Sequence, residues 1–203
     1  KKGNDRTKEV SLKEIKKSKN IEFTTDFNFI KECRFFIITV PTPIKKNNTP
    51  DLKYLIDASK LVARCMKKSS IVIYESTVYP GCTEEVCLPI LERYSNLKLN
   101  KDFYLGYSPE RINPGKSNKK LTNVVKVISG SNQHATYTIS KLYKKIIKVG
   151  VFVADSIKIA EAAKIIENTQ RDLNIALVNE LSIIFKKLNL DTKKILEAAE
   201  TKW

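Results

Sequence analysis

Five short apolar runs, most of them separated by stretches of helical periodicity, constrain this chain more than any other feature. The runs are "CRFFIITV" (33–40), "SIVIYEST" (70–77), "FYLGYSP" (103–109), "NVVKVISG" (123–130) and "KVGVFVAD" (148–155). Near-continuous apolar runs of this length suit strands covered on both faces. Three other segments read as helices: "DLKYLIDASKLVARCMKK", "CTEEVCLPILERYS" and "SNQHATYTISKLYKKI". Their N-caps are expected at Asp51, at Cys82 or Thr83, and at Ser131 or Asn132. Strand–helix–strand alternation implies right-handed crossovers, so the expected class is α/β with a parallel sheet.

From Ser156 to about Leu188 the helical pattern runs without a breaker. That is well above the usual ~10–14 residues, and suggests a spine joining domains or a dimer contact. Asn189-Leu190-Asp191 interrupts it, and "DTKKILEAAE" opens another helix capped by Asp191 or Thr192. Residues 1–20 are polar and Lys-rich, which suits a surface helix or loop. A chain of 203 residues suits one domain, or one domain plus part of another, with the division expected between 1–155 and 156–203. A hydrophobic share of 42% is enough for a core. No apolar run approaches the ~20 residues that cross a bilayer, and the start has no apolar signal region.

A formal charge of +15 invites a nucleic-acid reading, but the lysines are scattered through every segment. No aromatic-interleaved basic stripe appears, so nucleic acid is not expected as a partner, nor is a membrane. The excess positive field would suit phosphorylated ligands. Four cysteines with a single histidine have no metal-ligand spacing, so no metal site is expected. Cys33 and Cys65 read as small buried hydrophobes and the thiols as reduced and cytoplasmic. His134 reads as a surface residue of a first helical turn.

Three strand exits carry polar groups that a plain loop does not need. "ITVPTPI" (38–44) holds Thr42 between two prolines, which fix an extended loop and remove amide donors. "YESTVYPG" (74–81) places Glu75, Ser76 and Thr77 before a Pro-Gly entry to a helix, a setting suited to an anionic ligand. "YSPERINPG" (107–115) sets Glu110 beside Arg111 between prolines. Taken alone, each is also readable as an ordinary strand exit or a surface salt-bridge loop. Together they point to one crevice, because open α/β sheets bind ligands at their carboxyl edge. In the long helix, Lys164, Asn168 and Arg171 recur at steps of four and three, which stacks three polar heads on one face. That face is readable as a site or as snorkelling side chains on a packed helix.

"VPTPI", "ESTVYPGCTEE", "YSPERINPG" and "AEAAKIIENTQRDLNIALVNELSIIFKKL" together resemble the nucleotide-sugar dehydrogenases. The similarity runs from about Ile21 to Trp203 and is strongest to the UDP-N-acetylhexosamine 6-dehydrogenases, beside UDP-glucose 6-dehydrogenase. The resemblance implies a Rossmann-like parallel sheet followed by a long central helix. It implies oxidation of the C6 alcohol of UDP-GlcNAc or UDP-ManNAc by NAD in two hydride transfers, through a thiohemiacetal and a thioester. Carried over by motif, Thr42 and Thr77 would contact NAD, and Glu110 would serve acid/base chemistry. Arg111, the backbone at Ile112 and Arg171 would bind the UDP-sugar. Lys164 would stabilise the C6 oxyanion or exchange its proton, with Asn168 as partner. A homodimer through the long helix is expected.

Two departures stand beside the resemblance. The G-x-G-x-x-G fingerprint, with the acidic residue that follows it, is absent from these residues. So is the family's nucleophilic Cys motif, and none of the four cysteines stands in such a context. Glu200 sits where "EAAGTKW" would have glycine. The expectation is a central portion of the enzyme, inactive by itself. The rival readings are UDP-glucose 6-dehydrogenase and an inactive binding or dimerisation module.

Overall fold

The computed structural model describes residues 10–112 and 121–202. They fall into two compact units, Lys1–Ala162 and Ala163–Trp203. The first contains α1 (Leu12–Lys17), a 3₁₀ turn at Phe27–Ile30, β1 (Phe35–Ile38), α2 (Lys53–Cys65) and β2 (Ile71–Tyr74). A π-turn at Thr83–Cys87 then leads into α3 (Leu88–Ser95), followed by β3 (Tyr104–Tyr107), β4 (Lys126–Gly130), α4 (Gln133–Lys144) and β5 (Val151–Val153). Helix α5 (Ile157–Lys187) starts in the first unit, and α6 (Thr192–Ala199) lies in the second.

The strands form one sheet in the order β1-β2-β3-β4-β5. Side chains alternate across it and separate two cores. Phe36, Ile38, Val72, Tyr74, Leu105 and Tyr107 meet Leu55 and Val62 of α2 and Leu91 of α3. Ile71, Ile73 and Ile128 meet Ala135, Ile139 and Tyr143 of α4 on the other face. The expected coverage of both faces fails at the margins. Ile37 of β1 stays 45% exposed, and Phe152 and Val153 of β5 stay 60% and 46% exposed. One helix is about 10 Å across and strands lie about 4.8 Å apart, so α4 cannot cover both Ile37 and Val153 on its own face, while Phe152, paired with Val127, points to the opposite face.

The sheet is mostly parallel. Pairings β1–β2, β2–β3 and β4–β5 are parallel, but β3–β4 is antiparallel, with Tyr107 opposite Ser129. The sequence has no helical pattern between these two runs, and a parallel return needs a crossover of a dozen or more residues, usually helical. Without one, β4 runs back alongside β3.

Local chemistry sets the boundaries. Asn132 caps α4 by accepting from the Ala135 amide at 2.8 Å. Asp191 caps α6 by accepting from Lys193 at 2.9 Å. Asp51 accepts from the Lys53 amide at 3.0 Å, but Leu52 occupies the N-cap position, one residue later than expected. Cys65 is buried as expected, whereas Cys33 is exposed, because it lies in the turn ahead of β1 and outside the strand's buried pattern.

Gly106 in β3 is a close-packing position. A Cβ there would stand 2.8 Å from the Ser129 carbonyl oxygen and 2.2 Å from Ile139 Cδ1. Ile139 can turn aside, but the backbone oxygen of the paired strand cannot. Gly106→Ala is therefore expected to destabilise the fold by about 1–3 kcal/mol, the usual cost of overpacking, as read by urea unfolding.

Candidate active site

Ile38, Tyr74 and Tyr107 lie in register across β1, β2 and β3, so Thr42, Thr77 and Glu110 all leave from one carboxyl edge. Prolines at 41, 43, 80 and 109 remove backbone donors from these exits. Neighbouring groups tie the exits instead. The Glu75 amide donates to the Ile38 carbonyl and the Ser108 amide to the Tyr74 carbonyl, both at 2.9 Å. Ser76 Oγ donates to the Val40 carbonyl at 2.7 Å, and Tyr107 OH donates to the Ser76 carbonyl at 3.2 Å.

The first exit folds back on itself. The Asp51 amide donates to Pro43 at 2.7 Å and the Lys45 amide to Thr49 at 2.8 Å. Within this loop the Thr42 hydroxyl oxygen is buried and has no hydrogen-bond partner among the described residues. A buried polar group left unpaired costs about 1–3 kcal/mol, so the position favours a ligand that supplies the missing bond. Thr77 is exposed. Glu110 is half-buried and accepts from the Ile112 amide at 2.6 Å, while Arg111 donates to the Val125 carbonyl at 2.8 Å. Asn113, Pro114 and Gly115 of this motif lie outside the described residues.

Sequence reasoning passed over Glu161. Its side chain has no solvent exposure and accepts from the amides of Gly81 at 2.5 Å and Thr83 at 2.9 Å. The helix that follows β2 has no side-chain cap of its own, so this carboxylate answers its free amides from eighty residues away. Gly81 adopts φ +96°, a left-handed conformation that turns its amide toward Glu161. Burial pushes the Glu161 carboxyl above its ordinary value, opposed by the bonds from Thr83 and Gly81. The signal available in sequence was an acid at a position where the helix is otherwise apolar.

Of the four thiols, Cys33 is exposed. Cys65, Cys82 and Cys87 are buried, and Cys87 is pushed up by the neighbouring Cys82 and by burial. No cluster of metal-ligating side chains occurs among the described residues. On the second unit, α5 continues unbroken through Lys164, Asn168 and Arg171, which puts the three on one helical face. Lys164 and Asn168 are half-buried and Arg171 is exposed.

The mostly parallel sheet flanked by helices is the Rossmann-like architecture of solved dehydrogenases, and the comparisons with known proteins agree. Residues 4–147 match the UDP-glucose/GDP-mannose dehydrogenase family NAD binding domain, and residues 158–203 match that family's central domain. The chain belongs to the UDP-glucose/GDP-mannose dehydrogenase family. It is 55% identical over 203 residues to UDP-N-acetyl-D-glucosamine 6-dehydrogenase of Salmonella typhi, covering 100% of this chain and 48% of that one. The enzyme of the same description from Pseudomonas aeruginosa is 52% identical over 201 residues, covering 99% of this chain and 48% of that one. The solved structure of a UDP-D-ManNAc dehydrogenase from Pyrococcus horikoshii superposes with a TM-score of 0.85 at 35% identity. That match covers 94% of this chain and 45% of the other. The chain thus spans about half the length of the relatives it matches.

Glu161→Ala leaves two amides without their buried acceptor and is expected to destabilise the protein by about 2 kcal/mol or more. The comparison with Glu161→Gln tests the charge. Because the folded carboxyl titrates above the unfolded one, near pH 4.3, the unfolded state ionises first as pH rises. The stability of wild type relative to Glu161→Gln should therefore be greatest below that value, fall as pH rises to the folded value, and then level off. Urea unfolding across this range reads the trend.

Proposed function

We propose that the protein carrying these residues oxidises the C6 alcohol of a UDP-N-acetylhexosamine, UDP-GlcNAc or UDP-ManNAc, to the uronate with NAD. The observation that carries this reading is 55% identity along the whole chain to a UDP-N-acetyl-D-glucosamine 6-dehydrogenase. The unpaired, buried Thr42 hydroxyl supports it, since it suits a polar cofactor at the carboxyl edge. NAD, when bound, supplies the electron-pair acceptor for each oxidation.

The residues of this chain divide the remaining work. Thr42 and Thr77 hold the cofactor by their hydroxyls. Glu110, on its short loop, moves a proton for the water that releases the acid product. Arg111, Arg171 and the backbone at Ile112 recognise the UDP-sugar, the guanidinium groups matching its phosphates. Lys164 stabilises negative charge at the C6 oxygen, and Asn168, one turn on, donates to the same oxygen.

A homodimer through α5 accompanies this reading. Leu173, Leu177 and Ile184 recur at steps of four and seven on one stripe of that helix and are 51–64% exposed. Sedimentation should give a dimer for the wild type and a monomer for Leu177→Lys/Ile184→Lys.

Purified protein carrying these residues should form NADH with UDP-GlcNAc or UDP-ManNAc and markedly less with UDP-glucose. Failure with all three would overturn the reading, and preference for UDP-glucose would redirect it to the sister activity. Lys164→Ala should lower kcat roughly 100- to 1,000-fold with little change in NAD affinity, and Lys164→Arg should not restore it. Thr42→Val should leave stability unchanged or raise it, because the hydroxyl has no partner to lose among the described residues, while weakening NAD binding about tenfold. A loss of stability with unchanged NAD affinity would return Thr42 to an ordinary loop residue.

A further inference from the structure

We infer that Lys126 is a positioning residue: its buried ammonium sets the spacing between the strand exits that carry Thr77 and Glu110. The inference rests on the functional reading above only in what those exits are for.

Lys126 is the first residue of β4 and is 3% exposed. Its Nζ stands 3.3 Å from Glu75 Oε2 at the β2 exit. It also donates to the carbonyls of Pro109 at 3.2 Å and Ser108 at 3.5 Å, at the β3 exit. The second Glu75 oxygen accepts from Tyr143 OH on α4, whose ring lies 5.4 Å from the same ammonium. Among the described residues, each polar neighbour of the ammonium thus belongs to the two exits or to the side chain that holds Glu75. Next along the chain from these anchor points come Ser76-Thr77 and Glu110-Arg111.

The antiparallel turn of β4 makes this possible. Tyr107 pairs with Ser129, so the start of β4 lies beyond the carboxyl end of β3. A parallel β4 would have delivered its first residue to the opposite edge.

Packing alone does not require a charge here. A buried ion pair is often replaceable by apolar groups of similar volume at little cost in stability, whereas removing one partner strands the other. What an apolar pair cannot do is hold two backbone carbonyls and a carboxylate at fixed separation. The charge is therefore read as geometric in purpose.

The double variant Lys126→Met/Glu75→Gln tests this, with Lys126→Met alone as companion. The single variant should be strongly destabilised. The double should recover most of that stability, because no charge is stranded. In the double variant the Ser108 amide, which bonds the Tyr74 carbonyl, and the Ile112 amide, which bonds Glu110, should exchange with deuterium on the order of tenfold faster, with α4 amides unchanged. Its kcat with the UDP-sugar should fall about 10- to 100-fold, the effect of small misplacements of reacting groups, without a matching loss of stability. Wild-type exchange at Ser108 and Ile112 in the double variant would overturn the proposal. So would faster exchange spread equally into α4, which marks a merely structural role. If the wild-type protein oxidises no UDP-sugar, the functional reading fails, and the exchange rates still decide the role of Lys126.

Discussion

Three consecutive strands leave the sheet through segments that contain proline, and proline deletes the donors that would otherwise knit one exit to the next. Everything at the carboxyl edge depends on how that deficit is met. Side chains and the last amides before each exit meet it. Ser76 reaches the Val40 carbonyl, Tyr107 reaches the Ser76 carbonyl, and Lys126 spans Glu75 and the carbonyls at 108 and 109. The edge is thereby tied together without being self-satisfied. Backbone that leaves regular structure must find partners somewhere, and here they lie one strand away. The Thr42 and Thr83 hydroxyls are the buried side-chain groups for which none is found among the described residues.

Two buried charges divide the structural labour. Glu161 faces free amides at a helix entry, an arrangement that satisfies the carboxylate with backbone dipoles and needs no counterion. Lys126 faces a carboxylate, two carbonyls and an aromatic ring. Both lie on elements remote in sequence from what they hold. Each therefore couples the order of one loop to the correct seating of another element. An apolar residue would fill the same space, but it would leave the loop's own polar groups unanswered.

The net charge of +15 is spread along the chain. Several surface lysines pair singly with nearby acids, as in Lys158–Glu85 and Lys68–Asp102. Exposed pairs of this type contribute little to stability.

The strands, the caps at Asn132 and Asp191 and the long helix were legible in sequence, because each is decided by local pattern and by chemistry within a few residues. So were the three polar exits, since prolines beside Thr42, Thr77 and Glu110 mark them without reference to any other part of the chain. The direction of β4, the bare margin at Ile37 and the exposure of Cys33 were not. Direction depends on whether a crossover exists, and coverage depends on how many strands one helix can span. Glu161 and Lys126 could not be assigned a role from sequence for a related reason. A charged residue in a sequence is solvated by default, and only the folded chain decides whether distant amides and carbonyls converge to replace that water.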